Sequence, residues 1–580
     1  MNPVQQLLTD HIGLWTGADT AKKSGRGRAS GNAGTIYGIK KLRELILELA
    51  VRGKLVPQDA SDEPASELLK RIQIEKNKLV DEGKIKKQKT LMEITDAEST
   101  IKLPHGWVRT RLADIVNILN GRAYKKEELL EAGTPVLRVG NLFTSDHWYY
   151  SDLILGEDKY CNKDDLLFAW SASFGPFIWN GEKSIYHYHI WKLDLYGGDL
   201  IYKRYLYTFL LEQTQKIKSA GHGVMMIHMT KEKMEKLVVY LPPVSEQHRI
   251  VAKVDELMAL CDQLETGHTD AADAHEKIVN HLLVTLTASQ DSADFNAAWQ
   301  RIAAHFDMLF VTEASINALK QALLQLAVMG KLVPQDPDGE PASELLGRIK
   351  EEKARLVFEG KIKKDKPLTA ITDDEKPFKL PRGWEWVRLG VALEITGGVT
   401  LGRKLNDTEL IELPYLRVAN VQRGYLDLDG IKMVEIRRSE LARYQLIDDD
   451  LLVTEGGDWD KVGRTAIWNS EIEVCVHQNH IFRMRIQINQ LSSSWIEMYM
   501  NSIAKAYFQN ASKKTTNLAS INMTQLKNCL LAVPALEEQH RIVAKVDELM
   551  SLCDRMKARI ADVGSLQRKL ADVMVAQAVA

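Results

Sequence analysis

Few residues of this chain occur in patterns that support catalysis by its own side chains. Two histidine pairs, His187 with His189 and His477 with His480, could suggest a metal site. His187 and His189, however, are two positions apart beside aromatic residues on a predicted strand, where lining a pocket or contacting a ligand fits better. Each Gly-Lys pair is followed by Leu or Ile, so no GxxxxGK[ST] phosphate loop is present. We therefore predict no metal and no cofactor bound by this chain.

The sequence also lacks a signature of base methylation. Enzymes that methylate adenine in DNA extrude the base and hold it with an Asn/Asp/Ser-Pro-Pro-aromatic loop. The nearest string here is Leu241-Pro242-Pro243-Val244, which lacks both end residues. We therefore predict no base-methylating site in this chain.

Composition indicates a globular chain without a strong charge bias. Its 580 residues are 45% hydrophobic, and Lys+Arg 76 against Asp+Glu 78 leave a net charge of −2. This length predicts about three or four domains. The charge gives no global sign of nucleic-acid or membrane binding, so any such contact would be local or shared with a partner. Five cysteines without a CxxC pair, no signal peptide and no long apolar run favour a soluble cytoplasmic protein that makes no membrane contact.

The string EQHRIVAKVDELM occurs at 246–258 and again at 538–550, so the chain contains an internal duplication. Both copies begin a helical pattern whose apolar residues step by four and three, the a/d seam of a coiled coil. Some 40 residues of helix would make a rod of roughly 60 Å. One core helix would explain a single apolar stripe, but a repeated and charged seam favours helix pairing. The seam residues are Ile250, Val254, Leu257, Cys261 and Leu264 in the first copy, and Ile542, Val546, Leu549, Cys553, Met556, Ile560 and Val563 in the second.

A second repeated unit precedes each of two divergent regions. The strings GKLVPQD and PASELL at 53–69 return at 330–346 with an offset of 277, which also relates Trp107 to Trp384. Prolines interrupt the path between the two helical stretches of each unit, because proline cannot continue a helix. The basic GKIKK strings that follow are interpreted as helix ends with cations near the C-terminus.

The divergent regions have short β-branched and aromatic runs typical of strands and loops. From Trp107 to Gln247 there are 140 positions, and from Trp384 to Gln539 there are 155, so the second region is longer by 15 residues. Strand patterns survive in both regions, as in PVLRVGNL and PYLRVANV or in DLLFAWSASFG and DLLVTEGGDWD. One scaffold is therefore repeated around two domains of one kind, as a device reading two different targets would need.

The predicted fold class is α+β, with two mixed α/β domains separated by a long antiparallel coiled-coil spacer and a pseudo-two-fold symmetry from the duplication. We expect the central long helix to pair with the second helical unit, and the C-terminal long helix with the first. The predicted segments are a flexible leader at 1–35, an N-terminal helical region at 36–103, a first mixed domain at 104–243, a central helical region at 244–380, a second mixed domain at 381–535 and the C-terminal long helix at 536–580.

The order of these segments resembles the specificity (S) subunit of Type I restriction–modification enzymes, in the branch with extended conserved repeats. LPxGW, a domain with LRVGN or LRVAN, an exit proline and EQHRIVAKVDEL, all repeated, carry the resemblance from about 36 to 580. It implies a non-catalytic subunit whose two target recognition domains each read half of a split, asymmetric site in double-stranded DNA. It further implies two modification subunits, which bind S-adenosylmethionine and methylate adenine at N6, and restriction or translocase subunits, which use ATP and Mg.

The resemblance directs attention to side chains that bind base edges and phosphates in these two domains. We predict the loops SAGHGV at 219–224 and SKKTTN at 512–517 as the better candidates, whereas Arg138 and Arg417, shared by both domains, could serve the framework or phosphates. The full set is Arg122, Lys125, Lys126, Arg138, Ser171, Lys183, His187, Lys218 and His222 in the first domain, and Arg403, Lys404, Arg417, Glu455, Asp458, Lys461, Arg464, His477, Lys513, Lys514 and Asn517 in the second.

Two other functions stay open at this stage. A stand-alone enzyme would need a hidden catalytic constellation and would be active without partners. A coiled-coil scaffold would bring proteins together without reading a DNA sequence.

Overall fold

In a computed structural model, the chain forms two compact units, residues 1–272 with 562–580, and residues 273–561. Each unit contains one of the two mixed domains. The structure describes residues 10–18, 36–86, 91–95, 101–171, 174–220, 229–289, 292–364, 366–403, 409–457, 459–488, 490–511, 513–514 and 519–579.

Helices of the first unit surround a core that includes the apolar face of the first repeated unit. Leu42, Leu45 and Leu49 recur at helical spacing and are buried. The helices are α1 (Ile12–Gly17), α2 (Tyr37–Val51), α3 (Ala65–Asp81), α4 (Leu112–Ile115), α5 (Val139–Phe143), α6 (Lys203–Ala220), α7 (Lys231–Glu235), the first part of α8 (Val244–Ala288) and the last part of α18 (Leu536–Val579).

The prediction of a flexible leader is wrong for residues 12–17, which form α1. Trp15 in this short helix is fully buried and belongs to the same hydrophobic cluster as α2. Gly38 permits the close approach, since a Cβ there would lie 2.3 Å from the Trp15 carbonyl oxygen. A single tryptophan in a Gly- and Ser-rich segment therefore anchors part of the leader.

The strands of the first unit form a two-stranded antiparallel ribbon, β1 with β10, and two four-stranded sheets in the orders β2-β9-β6-β7 and β4-β3-β8-β5. The central strand β6, with the sequence LLFA, is buried at every position, as expected for a continuous apolar run. The strands are β1 (Val108–Arg111), β2 (Val116–Asn120), β3 (Thr134–Leu137), β4 (Tyr149–Ser151), β5 (Tyr160–Cys161), β6 (Leu166–Ala169), β7 (Gly175–Ile178), β8 (Ser184–Tyr186), β9 (Ile190–Leu195) and β10 (Val238–Leu241).

The second unit repeats the ribbon and one four-stranded sheet, has the three-stranded sheet β14-β13-β18 where the first unit has β4-β3-β8-β5, and adds one small sheet. Strand pairs β1–β10 and β11–β22 correspond, as do the sheets β2-β9-β6-β7 and β12-β19-β15-β17; the addition is β16-β21-β20. The strands are β11 (Glu385–Arg388), β12 (Glu394–Gly397), β13 (Leu410–Leu416), β14 (Lys432–Arg437), β15 (Asp450–Thr454), β16 (Gly456–Gly457), β17 (Thr465–Trp468), β18 (Val476–His477), β19 (Ile481–Arg485), β20 (Lys513–Lys514), β21 (Ala519–Ser520) and β22 (Leu530–Val533).

The helices of the second unit follow the same chain order around this domain. Besides the last part of α8 and the first part of α18, they are α9 (Ser292–Ala304), α10 (Phe306–Leu309), α11 (Glu313–Val328), α12 (Ala342–Phe358), α13 (Leu389–Ala392), α14 (Leu441–Tyr444), α15 (Ser493–Asn501), α16 (Ile503–Ala511) and α17 (Met523–Asn528).

A tryptophan and a glutamine clamp the first repeated glutamate at the start of α8. Trp107 Nε1 donates to Glu246 Oε2 at 2.9 Å, and Gln58 Nε2 donates to Glu246 Oε1 at 2.7 Å. Gly53 packs beside this group with a φ of +69°, where a Cβ would lie 2.4 Å from Pro104. Burial raises the pKa of Glu246, and these two donors oppose that rise.

The second unit contains the same clamp. Trp384 Nε1 donates to Glu538 Oε2 at 3.0 Å, and Gln335 Nε2 donates to Glu538 Oε1 at 2.7 Å. Gly330 again has a φ of +69°, and a Cβ there would lie 2.5 Å from Pro381. The sequence offset of 277 thus corresponds to one set of contacts made twice.

The repeated glutamine of EQHRIVAKVDELM also has one role in both units. Gln247 accepts from the Tyr202 amide at 2.8 Å and donates to the Pro242 carbonyl at 2.9 Å. Gln539 accepts from the Ser492 amide at 2.9 Å and donates to a proline carbonyl at 3.0 Å. The identical residues therefore fix the exit from each mixed domain into its long helix.

The long helices bury their predicted seams, but not over the full length. Ile250, Val254, Leu257 and Cys261 of α8 are each at most 6% exposed and share a cluster with α2 and α3. Val563, predicted as the last seam residue of α18, is 55% exposed. The seam pattern therefore overstates the buried length of α18.

The last parts of α8 and α18 pack with the helical units that the sequence predicts, whereas the first part of α8 packs with the other unit. In the first unit the Tyr37 hydroxyl of α2 donates to Asp572 of α18 at 2.7 Å. In the second unit Leu283 of α8 shares a cluster with Ile316 of α11. The first part of α8, however, packs with the first helical unit, where Arg43 of α2 pairs with its carboxylates.

The half-buried Glu497 of α15 predicts a pH-dependent stability of the second unit. Burial raises its pKa from the ordinary 4.5 to about 7, although its carboxylate accepts from the Ile467 amide at 3.1 Å. The folded state therefore binds a proton that the unfolded chain releases between these values. The resulting stability is complete below about pH 4.5 and is lost as the pH rises through about 7.

We expect Glu497→Gln to flatten this dependence, because glutamine keeps an acceptor for the Ile467 amide and does not ionise. The difference between variant and parent should grow to the order of 3 kcal/mol between pH 5 and pH 8. Urea unfolding at both pH values measures it, with the exposed Glu435→Gln as control. Parallel pH curves for Glu497→Gln and parent would contradict the assignment.

Candidate nucleic-acid interface

The two mixed domains share their register along one pair of central strands. Ala169 of β6 pairs with Ile190 of β9, and Thr454 of β15 pairs with Ile481 of β19. In both domains β6 or β15 then leaves the sheet into the loop where the two sequences diverge.

One residue beyond this pair, the backbones still match while the side chains differ. The Trp170 amide donates to the His189 carbonyl at 3.1 Å, and the Glu455 amide donates to the His480 carbonyl at 3.0 Å. Trp170 and Glu455 are therefore equivalent positions, as are His189 and His480.

In the first domain this position is part of an aromatic group. The Trp170 ring lies edge-on to His189 with centroids 5.0 Å apart, and its Nε1 donates to the Tyr188 carbonyl at 2.8 Å. Tyr188 is 39% exposed. This group is therefore aromatic and partly exposed to solvent.

In the second domain the same position is polar. Glu455 accepts a short hydrogen bond from Nδ1 of His480, and the two side chains are 30% and 56% exposed. The pair thus presents a carboxylate and an imidazole at the surface, where the first domain presents aromatic rings.

The additional sheet β16-β21-β20 connects Glu455 to a strand that contains two lysines. The Glu455 carbonyl accepts from the Ile521 amide at 2.9 Å, and β16, which follows Glu455, pairs with β21. Strand β21 pairs in turn with β20, which contains Lys513 and Lys514. Three residues predicted to bind DNA, Glu455 and these two lysines, therefore belong to one connected region.

His187 lies at a half-buried position behind the aromatic group. Burial, together with the neighbouring His189 and Arg138, lowers the pKa of His187 to about 4, so its ring is neutral at pH 7. A neutral ring can contact a base but adds no charge toward phosphate.

His477 is a correction to the predicted set. Its side chain is fully buried, and neither ring nitrogen has a hydrogen-bond partner within the described residues. Burial, then Arg483 and Arg485, lowers its pKa to about 3. A ring enclosed by the sheet cannot reach DNA, so His477 supports the framework.

The family assignment follows from comparison with known proteins. The Type I restriction modification DNA specificity domain family matches residues 104–272 and 381–563. The chain belongs to this family. Two Escherichia coli relatives are the Type I restriction enzyme EcoAI specificity subunit, 38% identical over 99% of this chain and 100% of its own, and the EcoEI specificity subunit, 36% identical over 98% of this chain and 99% of its own.

The alignment with a solved structure is weak. The HsdS subunit from Thermoanaerobacter tengcongensis aligns with 83% of this chain and 99% of its own at 17% identity, with a TM-score of 0.39. The chain is thus a specificity subunit of a Type I restriction–modification system by its relatives and its family match.

Several cations predicted to bind DNA in this specificity subunit are engaged within the chain. Arg122 makes a two-pronged ion pair with Glu128, and Arg403 makes one with Glu440. Lys183 pairs with Glu157, although both side chains are exposed. For Arg122 and Arg403 a DNA contact stays a prediction, in which the arginine would share or exchange its bidentate carboxylate partner.

The two arginines shared by both domains have structural roles at matching places. The Arg138 amide and the Arg417 amide each donate to an asparagine three residues later. Arg138 lies over the Tyr149 ring at 4.6 Å, and Arg417 donates to the Gly430 carbonyl at 2.8 Å. These contacts favour the framework role over base reading.

The remaining predicted residues lie at varied positions. Lys125, Lys126 and Lys218 are exposed, the last in the final turn of α6, whereas Ser171 is only 7% exposed. Arg464 donates to Gln422, and Lys461 lies in the same loop with its side chain half-buried. His222, Lys404, Asp458 and Asn517 lie outside the described residues.

The predicted set omits Trp170 and His480, whereas His189 was already considered, with His187, for lining a pocket or contacting a ligand. The signal was present in the matching of HYHIW with HQNHIF, where a histidine precedes the isoleucine that begins β9 or β19. The sequence did not show which residue lies opposite each histidine. Trp170 precedes His189 by 19 residues, and Glu455 precedes His480 by 25.

Metal-binding clusters and membrane-spanning helices are both absent from the part of the chain that the structure describes. Within this part, no group of three or more His, Cys, Asp or Glu side chains is arranged to hold a metal ion. No helix in that part of the chain is long and apolar enough to cross a membrane.

Proposed function

We propose that this specificity subunit reads a bipartite, asymmetric site in double-stranded DNA, with one half read by each mixed domain. The observation that carries the proposal is the matched register of β6–β9 and β15–β19, which holds different side chains, Trp170 and Glu455, at one partly exposed position. A shared framework with divergent surface chemistry is what two different half-sites require.

In this proposal the chain is not itself an enzyme. Two modification subunits dock on the helical regions and bind S-adenosylmethionine to methylate adenine, and restriction subunits use ATP and Mg. Support comes from the relatives, which are named specificity subunits, and from the lack of a catalytic signature in the sequence.

The experiment is co-expression of the chain with its modification subunit, followed by sequencing of host DNA for N6-methyladenine. Methylation at a single split motif is expected. A stable complex on gel filtration without new methylation would favour a coiled-coil scaffold that reads no sequence. Methyl transfer by the isolated chain would contradict the non-catalytic role.

We further propose that α8 and α18 form an antiparallel coiled-coil spacer that sets the gap between half-sites. Two domains reading successive major grooves on one face of DNA would have half-site centres about 10 base pairs apart. Both helices cross the boundary between the compact units, at 272/273 in α8 and at 561/562 in α18. These boundaries are the places where added helix would leave each unit unchanged.

Inserting one heptad at both boundaries should lengthen the gap of the methylated motif by about 3 base pairs, since seven helical residues rise about 10.5 Å. Both half-site sequences should stay as they are. A heptad in α8 alone is the control and should reduce methylation, because the two helices would no longer match. Altered half-sites in the double insertion would contradict the modular spacer.

A further inference from the structure

The internal duplication provides a comparison between two reading surfaces within one chain. The positions of Trp170 and Glu455 have the same strand register and the same backbone hydrogen bond to a histidine. The framework therefore fixes the backbone at this position, and only the side chain differs between the two domains.

Stability does not explain the polar pair of the second domain. His480 and Glu455 are 56% and 30% exposed, and neither belongs to a hydrophobic cluster of the described residues. An exposed ion pair adds little to stability, because water screens it and two side chains lose freedom. Contact with a second molecule therefore better explains why a carboxylate follows the fully buried strand β15.

The surroundings suit a nucleic acid. The backbone of Glu455 is bonded next to β21, and β21 pairs with the Lys513–Lys514 strand. Lysines contact phosphates and fix the position of a protein on DNA, whereas carboxylates accept hydrogen bonds from exocyclic base amines. The backbone pairing therefore places a strand that contains two lysines next to β21, beside the strand that follows Glu455.

We propose that Glu455, oriented by His480, reads an exocyclic amine of cytosine or adenine in the major groove of the second half-site. This inference rests on the proposed function. The carboxylate has two oxygens: one accepts from His480 Nδ1, and the other accepts from the base amine. His480 is a positioning residue, and Trp170 makes a contact of a different kind, with an apolar face, in the first half-site.

The test compares methylated motifs of the co-expressed complex for the parent, Glu455→Gln, His480→Asn and the control Glu435→Gln. Glutamine has the shape of glutamate but replaces one acceptor by a donor, so it should favour a different base edge. With Glu455→Gln we expect at least about tenfold less methylation at the parent motif and a changed or relaxed base at one position of the second half-site.

His480→Asn should relax that same position by a smaller factor, because the carboxylate stays but is less well oriented. Glu435→Gln alters an exposed carboxylate on β14 and should leave the motif unchanged. In every variant the first half-site should stay as in the parent.

An unchanged motif and rate in Glu455→Gln would overturn the inference. Loss of the purified complex on gel filtration, or a lowered Tm of the variant, would overturn it too, by assigning the pair a structural role. If the parent itself methylates no motif, the proposed function fails instead, so the two failures are distinguishable.

Discussion

Replacing Trp384 by alanine should destabilise the second unit by about 3–5 kcal/mol. The side chain is 6% exposed and meets Trp495 edge-on with ring centroids 5.4 Å apart. The change leaves a cavity and removes a hydrogen-bond donor from Glu538, whose pKa is already raised by burial. The start of α18 would lose its clamp at the same time.

Hydrogen exchange of the full chain localises this effect, because peptides from each unit are measured separately. Exchange should increase in β11, α15 and the first part of α18. The matched control is Phe358→Ala, which removes an aromatic ring that is 93% exposed at the end of α12. Equal exchange in the two variants would show that the tryptophan clamp does not hold the unit together.

Asp450→Ala should cost a comparable 3–5 kcal/mol, because it leaves the half-buried Arg485 cation without its carboxylate and with only the Gln445 carbonyl as an acceptor. Asp450 is 1% exposed, and its two oxygens accept from Arg485 Nε and Nη2, both at 2.7 Å. The Arg485 side chain is 19% exposed, so water replaces the lost carboxylate poorly.

This change should also abolish reading of the second half-site, since Asp450 begins the strand that ends beside Glu455. Denaturant unfolding and the methylated motif measure the two effects. The control is Glu340→Ala, which breaks an exposed pair with Arg348 in the same unit and should change stability little. If Asp450→Ala behaves like Glu340→Ala, the buried pair is not a determinant of this domain.

The sequence by itself determined the repeated framework. The second copy of EQHRIVAKVDELM and the offset of 277 located the two helical units, and the structure gives their equivalent residues the same partners. Such features are accessible from sequence because helix periodicity and identity between copies are local properties. Membership of the specificity-subunit family followed from the same strings and is confirmed by the family match.

Only the tertiary structure decided which side chains face outward. His477 and His480 are three positions apart, yet the first is fully buried and the second is 56% exposed. Arg403 forms an ion pair with Glu440, 37 residues away. Val563 continues the apolar seam pattern of α18, yet its side chain is exposed. Availability for DNA depends on neighbours distant in the chain, because burial and ion pairing arise only when strands and helices pack. Local sequence patterns therefore defined the scaffold of this protein, and packing selected its surface.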